Sequence, residues 1–128
     1  MNSSESQCLF CRVNPEHLVA EDELCYAAKD SFPATEFHTL IIPKRHVANY
    51  FDLRSSEVSA MHEMLVKMKK IVESKDDSIT GFNIGVNAGK DAGQSIFHVH
   101  VHLIPRRKGD VENPRGGVRG VIPQKQKY

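Results

Sequence analysis

Nowhere in the 128 residues do apolar side chains run for anything near the roughly 18 positions that a membrane span needs. The opening segment MNSSESQ is polar and lacks the apolar stretch of a secretory signal, so a cytoplasmic location is expected and no membrane partner. Cysteine is scarce: three residues, an odd number, cannot build a disulfide framework, and Cys8 and Cys11 therefore read as thiolate ligands or reduced thiols. There is no internal repeat, which excludes solenoids and propellers, and no low-complexity block, which excludes a long linker. The length leaves room for one domain.

A strong net charge is missing too, since the formal value is +1. The distribution is uneven: from Arg106 to Tyr128 seven Lys/Arg face two Asp/Glu, against ten and fourteen in the residues before. A basic tail on an acidic body suits a phosphorylated ligand and equally suits a solvated arm. Residues 106–128, rich in Gly and Pro, read as an irregular tail of the single domain. Arg106, Arg107, Arg115 and Arg119 stand either against such a ligand or in solvent.

What the chain does contain is a set of short apolar runs and one long amphipathic one. Strands are expected near His17–Ala20, Leu24–Ala28, Thr39–Ile42 ahead of Pro43, Phe82–Val86 and Ile96–Ile104. A helix is expected from Ser55 or Ser56, either of which can cap it, with Glu57 in the first turn. Its stripe is Val58, Met61, Leu65, Met68 and Val72, widened by Met64 and Ile71, which is core packing. Short turns between successive strands argue for an α+β fold: a five-stranded antiparallel meander with one long helix on one face.

The stretch Phe97-His98-Val99-His100-Val101-His102-Leu103 carries the chemistry. In a strand, side chains alternate, so the three histidines share one face and the apolar residues the other. Packing does not call for three imidazoles in a row. Metal binding and nucleophilic catalysis are the two functional readings. Parallel side chains on a flat strand converge poorly on one metal. A neutral imidazole attacks phosphorus well near neutral pH, so catalysis fits better, with a neighbouring group fixing the tautomer. The Gly-rich loop Asn87–Ser95 (NAGKDAGQS) departs from the P-loop spacing, with Asp91 where Ser or Thr would stand, but can bring backbone N–H groups toward an anion.

The pattern from His98 to Ile104, together with FHTLIIPKRH (Phe37–His46), Asp30 and NAGKDAGQS, resembles the histidine triad family of nucleotide hydrolases and transferases. The resemblance covers nearly all of Cys8–Arg107. It implies a homodimer whose sheets join, a purine nucleotide substrate (a nucleoside phosphoramidate or dinucleoside polyphosphate) and no catalytic metal. Carried over by position, His100 is the nucleophile and His102 contacts the phosphate and helps proton transfer. His102 also favours hydrolysis over transfer, because transferring members carry Gln there. His38 supports the nucleophile; Asp30 binds the ribose; Asn87, Gln94 and Ser95 touch phosphates or leaving group. Leu9, Phe10 and Val13 line the base pocket.

Cys8-Leu9-Phe10-Cys11 by itself leaves zinc ligation, a reduced thiol pair and a redox pair open. The resemblance implies a structural zinc, with His46 and His98 completing the ligand set. Cys25 reads as a small buried apolar residue. Two other functions compete with an enzyme: a signalling or scaffold protein that binds nucleotides with little turnover, and a DNA-repair relative. The chain carries no appended DNA module, so no nucleic-acid partner is expected.

Overall fold

The computed structural model describes residues 7–128. Five strands, β1 (Leu18–Glu21), β2 (Cys25–Lys29), β3 (Thr39–Pro43), β4 (Ile79–Val86) and β5 (Val101–Arg107), form one sheet, and one long helix, α1 (Ser55–Lys75), crosses it. All neighbouring strands are antiparallel, so the expected α+β class with five strands and one helix holds.

The strand order is β1-β2-β3-β5-β4, which departs from a simple meander. β1 to β3 turn back on one another through short loops. α1 is 21 residues long, about 30 Å at 1.5 Å per residue, and carries the chain past the next free position. β4 therefore lands at the far edge, and β5 returns into the gap between β3 and β4. The strand bearing His102 is thus an inner one, with Leu40 on one side of His102 and Gly85 on the other.

Apolar packing is found on both faces of the sheet. On one face Met61, Met64, Met68 and Val72 of α1 pack against Ala27, Ile41, Val101 and Leu103. On the other, Tyr26, Ala28, Leu40 and Ile42 form a second, smaller core beneath Phe10 and Val13 of the N-terminal loop. Tyr26 Oη donates to the Phe10 carbonyl at 2.6 Å and ties that loop down. Among the described residues no helix is long and apolar enough to cross a membrane.

The start of α1 differs from expectation. Arg54, not Ser55 or Ser56, occupies the N-cap position. Val58 is 40% exposed, and its expected place in the stripe is taken by Glu57, which is buried. The Glu57 carboxylate accepts from Arg54 N–H at 2.8 Å and from Arg45 Nη2 and Nε at 2.7 and 3.0 Å. Arg45 and the helix N-terminus hold its carboxyl below the usual range, the Arg45 hydrogen bonds contributing most. Glu57→Ala is expected to cost about 2 kcal/mol, since it removes the cap and leaves Arg45 without its partner. Urea denaturation checks this, and a loss within about 0.5 kcal/mol would show the pair to be incidental.

Candidate active site

The three triad histidines do not share one regular strand. β5 begins only at Val101, so His98 and His100 precede it. Val99 N–H bonds the Val47 carbonyl at 2.8 Å, in the segment after β3, rather than a sheet neighbour. That detour lets His98, His100 and His102 enter three different environments.

His98 is fully buried. Its Nε2 lies 2.7 Å from the Pro43 carbonyl, which can only accept, so Nε2 carries the proton and Nδ1 keeps its lone pair. Nδ1 faces Cys8 Sγ and Cys11 Sγ, each at 3.5 Å, while His46 Nδ1 lies 3.1 Å from Cys11 Sγ. The four ligand atoms fall within 4.8 Å of one another, a two-thiolate, two-imidazole set that suits tetrahedral zinc. Burial lowers the His98 pKa, which keeps the ring in the neutral form a metal requires.

His100 is buried beside the Phe10 ring, centroid to centroid 4.9 Å. Its Nδ1 donates to the His98 carbonyl at 2.9 Å. A neutral ring so held has its lone pair on Nε2, which has no hydrogen-bond partner among the described residues. This is the tautomer a nucleophile needs.

His102, the only one of the three within β5, is about a quarter exposed and pairs through Nδ1 with His38 Nε2 at 2.9 Å. His38 therefore supports His102 rather than His100, the neighbour expected for it. Ala34 N–H bonds His38 Nδ1 at 2.9 Å, which places the His38 proton on Nε2. Burial lowers the pKa of both rings and holds them neutral. The chain reaches His38 through Phe37, a bulky residue in left-handed backbone (φ 71°). Such a conformation costs about 1–3 kcal/mol and persists where the surroundings fix it. Here the Phe37 carbonyl accepts from Thr39 Oγ1 at 2.8 Å.

Phe10, which packs on the His100 ring, also lines a cleft of about 340 Å³ with Leu9, Val13, Leu40 and Asp30, which brings together the residues expected for the base and ribose. Arg12, Asn14, His17, Ser31 and Phe32 also line it, and sequence reasoning had singled out none of them for the site. Only their nearness to Leu9, Val13 and Asp30 along the chain hinted at them.

The HIT domain family matches residues 11–109. The chain belongs to that family. An adenylylsulfatase, HINT3 of Arabidopsis thaliana, is 34% identical over 110 residues, 83% of this chain and 55% of the relative. A bis(5′-nucleosyl)-tetraphosphatase of Schizosaccharomyces pombe is 42% identical over 78 residues, 61% of this chain and 42% of the relative. A zinc-bound histidine triad family protein from Mycobacterium smegmatis superimposes with a TM-score of 0.77 at 33% identity, covering 85% of this chain and 81% of its own.

In this HIT domain the loop before the triad divides its labour differently from expectation. Gln94 is buried, and its amide is spent on the backbone: Oε1 accepts from Gly89 N–H at 2.9 Å, and Nε2 donates to the Ala48 and Ile96 carbonyls at 2.6 and 3.1 Å. It shapes the loop and has no group left for a phosphate. Gly89 and Gly93, both at φ 96°, make the turns that Gln94 closes. Ser95 is exposed, and Asn87 joins His38 and His102 in lining a second cleft of about 430 Å³.

The basic tail of the HIT domain does not offer free arginines to that cleft. Arg106 and Arg107 lie within β5; Arg106 pairs with Asp110 and Asn83, Arg107 with Asp76. Arg115 and Arg119 stack on Tyr128, at 5.2 and 4.8 Å from its ring centroid. What the tail brings beside His102 is Gly117, Val118 and Val121, an apolar contribution.

Proposed function

We propose that this HIT domain hydrolyses purine nucleotides at phosphorus through a covalent nucleotidyl–His100 intermediate. The observation that carries the reading is the His100 tautomer: with Nδ1–H held on the His98 carbonyl, the Nε2 lone pair is left for attack, and Phe10, packed on the same ring, lines a nucleoside-sized cleft. Base and ribose occupy the cleft of Leu9, Phe10, Val13 and Asp30. His100 Nε2 bonds to phosphorus, the bond to the leaving group breaks, and water then displaces His100 to give a nucleoside monophosphate. His102, protonated on Nε2, donates a hydrogen bond toward the developing negative charge. The adenylylsulfatase and tetraphosphatase names of the relatives support a nucleotide substrate. A phosphoramidate or a phosphoanhydride fits this chemistry.

Zinc held by Cys8, Cys11, His46 and His98 would cross-link the N-terminal loop to the segment carrying His100, and no bond-breaking step passes through it. The reading includes a homodimer joined along β4, whose outer edge is unpaired among the described residues and where Ile84 is half exposed.

The test uses a purine nucleotide phosphoramidate labelled on phosphorus. Mixing, denaturation in alkali (the adduct being acid-labile) and protease digestion should place the label on the peptide containing His100. Hydrolysis without any labelled protein would overturn the covalent route.

A further inference from the structure

Asp30 faces two ways. It lines the cleft assigned to the nucleoside, yet its Oδ2 lies 3.3 Å from His38 Nε2 and 3.9 Å from His102 Nδ1. Its other oxygen, Oδ1, accepts from Phe32 N–H at 2.8 Å, which fixes the carboxylate's orientation. With Ala34 N–H on Nδ1, His38 has a single proton to give, on Nε2. His102 Nδ1 takes it in a hydrogen bond of 2.9 Å, and Asp30 Oδ2, at 3.3 Å, is the competing acceptor.

Which acceptor wins decides the face that His102 shows the substrate. If the His38 proton goes to His102 Nδ1, neutral His102 must carry its own proton on Nε2 and is a donor there. If the proton goes to Asp30, the two His102 tautomers are no longer distinguished, and a bare Nε2 lone pair would repel a phosphoryl oxygen. Ribose hydroxyls donating to Asp30 occupy its lone pairs and weaken it as an acceptor for His38.

We propose that Asp30 couples ribose binding to the tautomer of His102 through His38, so that a ribonucleoside in the cleft strengthens the His38–His102 bond that sets the donor beside the attacked phosphorus. His38 is then a positioning residue, and Asp30 is a sensor of the sugar as well as its binder. No net proton transfer is required, only a change of hydrogen-bond partner. The inference rests on the proposed transfer to His100 and on the ribose meeting Asp30.

The experiment compares an adenosine 5′-phosphoramidate with its 2′,3′-dideoxy counterpart under saturating, single-turnover conditions. In wild-type protein the dideoxy compound should form the His100 adduct at least about tenfold more slowly at saturation, beyond any rise in KM. His38→Ala should lose about a hundredfold with the ribose substrate, as when one donor to a developing oxyanion is deleted, and should show less than about a twofold difference between the two sugars. His38→Gln, whose amide N–H can stand in for Nε2–H, should recover much of that rate, whereas a merely structural loss would not be rescued. A sugar effect confined to KM in wild-type protein would overturn the coupling without any variant. Persistence of the full sugar effect on rate in a folded His38→Ala protein would overturn it as well. Absence of a His100 adduct with either sugar would instead mark failure of the proposed chemistry itself.

Discussion

Replacing His100 with asparagine is expected to lower kcat by at least about four orders of magnitude while leaving nucleotide affinity within about twofold. The asparagine amide can occupy the place of Nδ1 and keep the bond to the His98 carbonyl, 2.9 Å long in the native chain. Nothing then stands where Nε2 stood, so the nucleophile is gone while the backbone bond to residue 98 remains. On the proposed reading base and ribose are held by Leu9, Phe10, Val13 and Asp30, all of which the change leaves in place. Steady-state kinetics with titration of a nucleoside monophosphate check both halves. Activity within about tenfold of wild type would exclude His100 as the group that attacks.

Removal of Cys8 and Cys11 should have the opposite profile. Wild-type protein purified without chelator should hold about one zinc per chain, and the Cys8→Ser Cys11→Ser variant almost none. The variant should lose roughly 3 kcal/mol, a fall in Tm on the order of 10 °C, because the N-terminal loop then rests only on the Phe10 and Val13 contacts and the Tyr26 hydrogen bond. The rate of adduct formation at saturation should change far less, by about threefold at most, since the His98 carbonyl that orients His100 is backbone. Metal analysis, thermal melting and single-turnover kinetics together decide the matter. Zinc-free wild-type protein, or a variant equally stable with zinc absent, would remove the structural role.

Much of this architecture was legible in the sequence because it depends on local periodicity. The Met61, Met64, Met68 and Val72 stripe declared the buried face of α1, and the alternating histidines declared a special strand. The strand order was not legible: β5 enters between β3 and β4 because a long helix can carry the chain past a vacant position, and no local pattern records where it lands. The irregular start of β5 was hidden for a related reason, since Val99 takes its partner from Val47, 52 positions away in the chain. Polar residues proved hardest to assign. Gln94 and Glu57 look like surface or substrate-facing groups by type, yet each is buried by a set of partners that only the fold assembles. His38 was found by its place in the chain, but its true neighbour, His102, emerged from the geometry.

On the proposed reading, residue 98 serves the nucleophile with its carbonyl and the metal with its imidazole. Those two demands are of different kinds. Every amino acid supplies a carbonyl; few supply an imidazole nitrogen to a thiolate pair. A lineage of such domains could therefore exchange its metal clip for ordinary packing, one ligand at a time, and still present the nucleophile in the same tautomer. The anchoring of the N-terminal loop and the chemistry at phosphorus are thus free to evolve on separate clocks, although they meet in a single residue.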